Sequence, residues 1–261
     1  MDARRLPASH GVLWLVAGFS LFRRNPPMMT TLTMGYLLLI LLINFIPTVG
    51  PFLLPIVLPT LTVVLANGCR AVELSRNFSV EVLTETLKTQ RDGLIRLGGL
   101  HLLGSSALLL VSLALGDNIN IADGLSTEEA TDLLTDMSIL LLAASPILMA
   151  FWFAPLLTAW DGVSAGKSIF FSLVASWRNM RAFTLYGLSV TVVGILLPGL
   201  ILVIAGLISP ALLATLSMVL RMLLIFVLAP TLVASVYLSY RDVFAAPPIP
   251  APPTATVDEI V

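Results

Sequence analysis

Long apolar runs alternate with short polar breaks along this chain. Six runs read as membrane spans, at about 28–46, 52–67, 97–115, 138–160, 182–204 and 211–236. Crossing a hydrocarbon core of roughly 30 Å takes about 20 apolar residues in an α-helix. Lipid offers no partner for a bare backbone N–H or C=O, so these runs are predicted to be helices. The break Pro47-Thr48-Val49-Gly50-Pro51 predicts a tight uncharged turn, and Ser209-Pro210 divides the last two spans. The expected fold is all-α: a polytopic membrane helical bundle forming one transmembrane domain over residues 1–245. Residues 246–261, with Pro247, Pro248, Pro250, Pro252 and Pro253, predict an extended, disordered tail. Its free end, Asp258-Glu259-Ile260-Val261, is the kind of carboxylate terminus that a partner captures.

The polar breaks differ in charge. Of the fourteen lysines and arginines, thirteen fall before the first span, between the second and third, between the fourth and fifth, or after the sixth. The exception is Arg221. The alternate side carries Asp117, Asp123, Glu128, Glu129, Asp132 and Asp136 in its main loop. Cytoplasmic loops are enriched in lysine and arginine, so the basic side is predicted to be cytosolic, with both termini there. Ser126-Thr127-Glu128-Glu129 has the form of a capping box that would start a helix near Thr127. The run Asp117-Asn118-Ile119-Asn120-Ile121 puts apolar residues where a calcium loop needs oxygen ligands, which argues against a calcium site.

Three basic-side segments share a layout. Leu13–Arg24, Val80–Arg91 and Ile169–Arg181 are each predicted to be an amphipathic helix ending in a basic knot. Each is followed by an outgoing span and then a returning span with a proline near its cytosolic end: Pro59, Pro155 and Pro230. The bundle therefore reads as three pseudo-repeats. A proline inside a span kinks the helix and frees a carbonyl, and repeat interfaces are common places for sites. The first of these helices resembles a signal-peptide core behind Arg4 and Arg5. It is followed by Arg23-Arg24-Asn25-Pro26-Pro27 rather than a small-residue cleavage site, so it is read as uncleaved. Too short to span, it is expected to lie in the interface with Trp14 and Phe19 at headgroup level.

Composition sharpens this picture. The 261 residues are 57% hydrophobic and 11% charged, against roughly 25% charged in soluble domains. One cysteine, Cys69, rules out a disulfide framework, and His10 and His101 match no zinc spacing. No metal or cofactor is expected. Asp161-Gly162-Val163-Ser164-Ala165-Gly166-Lys167-Ser168 approaches a P-loop but has Asp161 where the first glycine belongs, and it follows a span rather than a strand. Nucleotide and nucleic acid are therefore not expected partners, and Ser164 is read instead as a helix cap. No serine sits in a Gly-x-Ser-x-Gly elbow and no aspartate lies mid-span, so no enzyme chemistry is predicted. The sequon Asn77-Phe78-Ser79 falls on the cytosolic side.

Arg221 is the one candidate functional residue. With a sixth span over 211–236 it lies near the bilayer middle, where a charge costs at least about 2.5 kcal/mol and marks a pathway or an ion pair. With a span over 220–240 it snorkels at the outer interface. His101 and Asn44 are expected to hydrogen-bond between helices.

The start of the chain, with Trp14 and Phe19-Ser20-Leu21-Phe22-Arg23-Arg24-Asn25-Pro26, and the stretch Gly68-Cys69-Arg70-Ala71-Val72-Glu73 resemble uncharacterised multi-pass inner-membrane proteins of proteobacteria. Phe153-Ala154-Pro155-Leu156, with Asp161, Ala165, Ser172 and Arg178-Asn179, is also similar to the YciC-like family and to the membrane domain fused to some glycerophosphodiester phosphodiesterases. The resemblance implies a bacterial inner membrane and carries over no catalytic residue. Two functions are expected from the sequence. The first is a non-enzymatic scaffold or accessory membrane subunit that meets lipid, anionic lipid or other membrane proteins. The second is a transporter or lipid-handling protein with a cavity between the repeats, in which Arg221 engages an anionic group.

Overall fold

The computed structural model describes residues 3–115 and 127–244, and these are helical with no strand. The elements are α1 (His10–Arg24), α2 (Pro26–Asn44), α3 (Gly50–Glu73), α4 (Val80–Leu83), α5 (Arg91–Leu115), α6 (Thr127–Trp152), α7 (Ala154–Trp160), α8 (Ala165–Arg178) and α9 (Met180–Thr191). A π-segment, Val192–Leu196, leads from α9 into α10 (Leu197–Ile208). After α11 (Pro210–Leu223), a second one, Leu224–Leu228, leads into α12 (Ala229–Phe244). Six continuous stretches are long and apolar enough to cross a membrane: Pro26–Asn44, Gly50–Glu73, Arg91–Leu115, Thr131–Trp160, Met180–Ile208 and Pro210–Phe244. The capping box at Ser126, the Asp117–Ile121 run and the tail 246–261 lie outside the described residues.

Local chemistry sets the breaks. Pro26 and Pro27 have no N–H to give the end of α1 but fit the first turn of a new helix. Asn25 caps α2 by accepting from the Met28 N–H at 3.3 Å. Ser209 does the same for α11, accepting from Ala211 N at 3.2 Å just ahead of Pro210. Consecutive spans therefore form three hairpins, α2–α3, α5–α6 and the pair leading into and out of Ser209.

The hairpins unite at one end, where the described termini also meet. Arg4 N donates to the Val243 carbonyl at 2.9 Å, and Asn179 Nδ2 donates to the Arg4 carbonyl at 2.9 Å. The core sits there: Trp14, Met29, Val63, Leu94, Phe153, Leu156, Leu157 and Val243 are fully buried. At the far end, leucines such as Leu38, Leu110, Leu142 and Leu207 remain exposed. Such surface is stable only against lipid or another apolar partner.

Four expectations are corrected here. The segment 80–91 is not an amphipathic helix. It turns once as α4, and the chain then bends through Thr86 at φ 70° before α5 begins at Arg91. Asn67 on α3 stabilises this by donating Nδ2 to the carbonyls of Leu83 and Glu85, at 2.9 and 3.0 Å. The basic-side amphipathic helix is thus present in the first unit (α1) and the third (α8) and absent from the second. Trp14 does not face lipid or water: it is 1% exposed, ringed by Phe183 and Tyr186, with its indole N–H on Asp242 Oδ2 at 3.1 Å. Asn44 bonds within its own helix, to the Ile40 carbonyl. Ser164 stands at the N-cap position of α8, but its hydroxyl makes no capping bond.

Candidate functional site: a proline junction and an uncovered arginine

The three prolines lie where the hairpins come together. Each is buried, and each falls at a different kind of irregularity. Pro59 sits inside α3; it has no N–H, so the carbonyl of Pro55 one turn back lacks its helical donor. His101 on α5 supplies that donor through Nδ1, 3.0 Å from the Pro55 oxygen. A carbonyl can only accept, so the proton is on Nδ1. Pro230 opens α12 after the second π-segment, and the Phe226 carbonyl one turn back accepts from Thr30 Oγ1 of α2 at 3.2 Å. Ahead of Pro155 the helix parts at Phe153. There the Ser172 hydroxyl of α8 inserts into the ladder, accepting from Phe153 N at 3.0 Å and donating to the Met149 carbonyl at 2.7 Å. At each break a side chain from another helix takes up the loosened backbone.

Two of these prolines, Pro59 and Pro155, border a cavity of about 340 Å³ among α2, α3, α5, α6, α7 and α12, with Tyr36, Thr62, His101, Phe151 and Trp152 in its wall. The wall contains no Asp, Glu, Lys or Arg. The Thr62 hydroxyl donates to the Leu58 carbonyl, the Trp152 indole to Ser239 Oγ, and His101 stacks edge-on against Phe151 at 4.6 Å. Thr62, Trp152 and His101 thus give their donors to the protein itself.

The united end holds a charged cluster. Glu73 accepts from Tyr237 and pairs with Arg241, and Asp161 accepts from Tyr240. Arg70 lies over the Trp160 ring at 5.4 Å, and the Trp160 indole N–H donates to Asn67 Oδ1 at 2.9 Å. Asp161, the residue that spoils the P-loop pattern, is thus a bond acceptor for Tyr240. Ser168 of the same run is buried between Thr158 Oγ1 and the Val163 carbonyl. The periodicity of the sequence did not reveal this cluster. The signal for it was the recurrence of tyrosine and acid near span ends.

Arg221 lies apart from both. It is on α11, eleven residues beyond Pro210 and so about 17 Å along the axis. It is exposed and makes no ion pair among the described residues. With Leu213, Ala214, Ser217, Met218 and Met222 it borders a shallow hollow of about 590 Å³ formed by α11 alone. That lining repeats at three- and four-residue intervals, which is one face of one helix.

Over 204 residues, 72% of this chain and 74% of the other, the sequence is 36% identical to a probable inner membrane protein of Burkholderia thailandensis. No family model matches the chain, and no solved structure matches it.

Proposed function

Because the chain belongs to the same family as that Burkholderia inner membrane protein, we propose that it is a multi-pass protein of the bacterial inner membrane acting as a non-catalytic scaffold or accessory subunit. The observation that carries this reading is a face of α11 that no other described residue covers. Ala214 and Ser217 are small enough to let a second helix approach closely, and Arg221 needs an anion. A partner span bearing a carboxylate supplies both. A second copy of this chain fits less well, since a symmetric contact through this face brings Arg221 against itself. In this reading the united, basic end faces the cytosol, as lysine and arginine placement favours.

The transport reading leans on the 340 Å³ cavity, and it is the weaker one. That wall holds no charged group, and its His101 and Thr62 are bonded to backbone carbonyls. The kinship with YciC-like proteins and with phosphodiesterase membrane domains also belongs to this proposal. It is supported by Phe153-Ala154-Pro155-Leu156 and Ser172, which fall together at the break in the fourth span.

The test is a photo-crosslinking amino acid at position 217 in native membranes, with position 207 on the exposed end of α10 as control. We expect a discrete protein adduct from 217, none from 207, and loss of the 217 adduct in Arg221→Glu. Lipid adducts alone at 217, or an adduct unaffected by Arg221→Glu, would overturn the reading.

A further inference from the structure

On a neighbouring face of α11, about a third of a turn around the helix, is a second and different surface, and it does not depend on the partner reading above. A groove of about 450 Å³ runs between α1, the first π-segment with α10, and α11 with the second π-segment. Its walls include Phe19 of α1, Val193 and Leu197 of the fifth span, and Leu220, Leu224 and Leu228 of the sixth. Every lining residue is apolar except Thr231, whose hydroxyl donates to the Val227 carbonyl at 2.7 Å. A sugar, nucleotide or peptide backbone would enter with its polar groups unpaired, at a cost that a wall of hydrocarbon cannot offset. A hydrocarbon chain meets no such cost, and the volume lies in the range of small-molecule sites.

Two features set this groove apart from an ordinary gap between helices. Both of its long walls contain a π-segment, and these face each other: a Cβ added to Gly194 of the first would meet the Leu228 side chain of the second at 3.3 Å. A π-turn gives up regular i→i+4 bonding and is frequent at functional sites; here each one ends two residues ahead of a proline, Pro198 or Pro230. Two at one level, bordering one hollow, are a paired departure from the helix ladder. The rim also carries a cation. Arg23 is exposed, makes no ion pair among the described residues, and holds its guanidinium carbon 6.0 Å from the centroid of the Phe19 ring that walls the groove. A planar, always-charged guanidinium beside an apolar slot suits a phosphodiester joined to a hydrocarbon tail.

We propose that this groove is a binding site for one phospholipid of the surrounding bilayer, with an acyl chain between the π-segments and its phosphate on Arg23. The lipid would then join α1 to the last hairpin as a structural component.

The test uses the full chain reconstituted in phosphatidylcholine vesicles with a minor fraction of phosphatidylglycerol carrying a mid-chain photoreactive diazirine. Peptide mapping should place the adducts in the α1, 193–201 and 220–228 segments. Arg23→Gln should lower their yield about tenfold, the loss expected for one charge-assisted contact. Leu224→Trp fills the groove and should abolish them; if that variant does not fold, Leu197→Phe from the opposite wall makes the same prediction. Adducts spread evenly over the exposed leucines of all six spans, as annular lipid would give, overturn the site. So does undiminished labelling in a folded groove-filling variant or in Arg23→Gln.

Discussion

His101 on α5 donates its Nδ1 proton to the carbonyl of Pro55 on α3, 3.0 Å away. The bond exists because Pro59 withholds the N–H that an α-helix would place there, so a defect in one span is closed by a side chain from another. Gly98, one turn earlier on α5, permits the approach: a Cβ there would clash with the Ile56 carbonyl. His101→Ala should therefore lower stability in detergent by about 1–2 kcal/mol, since the carbonyl is left without a donor. In a Pro59→Ala background the backbone regains its own donor, and the cost of His101→Ala should largely disappear. A double-mutant cycle by thermal unfolding measures this. Additive losses would mean that the histidine stabilises the bundle by packing alone.

The contact of α1 with α12 depends on Gly18. A Cβ at Gly18 would lie 2.6 Å from the Thr231 carbonyl and 3.1 Å from Ser235 N, and backbone atoms of α12 have no room to yield. Gly18→Val should detach α1, expose the Trp14 indole and shift its fluorescence. Overpacking of this kind costs about 1–3 kcal/mol. Gly166→Ala on α8 meets nothing within 4 Å. There the only change is a better helix former on the solvent-facing surface, and stability should hold or rise slightly. Limited proteolysis at α1, compared between the two variants, separates a packing effect from a general one.

Glu73 is the acceptor that joins α3 to α12, through both Tyr237 and Arg241. Glu73→Ala leaves the buried Tyr237 hydroxyl without its acceptor, while Arg241, 42% exposed, keeps Asp242, so the change should cost about 1–2 kcal/mol, most of it at Tyr237. Arg76 and Glu85 form the contrasting pair, at 3.2 Å with side chains 43% and 46% exposed. Glu85→Ala should cost below about 1 kcal/mol, because water and salt already screen that pair. Unfolding midpoints of the two variants, measured at low and high salt, test the difference. A larger loss at Glu85 would reverse the assignment of the structural pair.

The sequence gives away whatever repeats along it and conceals whatever is joined across it. Six apolar runs, the turn at 47–51 and the division at Ser209 were all readable, because lipid forces each span to satisfy its backbone by itself. The prolines were readable as breaks. Their partners were not, since His101 lies 46 residues from Pro55 and Thr30 lies 196 from Phe226. Val80–Arg91 has the periodicity of a helix and fails to become one because Asn67, outside the segment, takes the carbonyls at 83 and 85. Trp14 looked interfacial by its neighbours in sequence; Asp242, 228 residues away, puts it indoors. Arg221 was legible as an anomaly, while the emptiness of the face around it required coordinates.

The proposed orientation rests on charge placement, and it can be read directly by labelling. The native Cys69 is fully buried and gives little background. Thr48 lies exposed in the turn between α2 and α3, and Lys167 lies exposed on α8 near the united end. These positions are on opposite ends of the bundle, because α3 runs from Gly50 to the Glu73–Arg241 pair. Moving the basic end outward would translocate a set of closely spaced lysines and arginines against the retention that orients membrane proteins. In intact cells, Thr48→Cys should react with a membrane-impermeant maleimide, and Lys167→Cys should react only after permeabilisation. The reverse pattern would place the basic end outside and sink the cytosolic assignment of both termini. It would also move the Arg23 phosphate site to the other leaflet while leaving the groove itself unchanged.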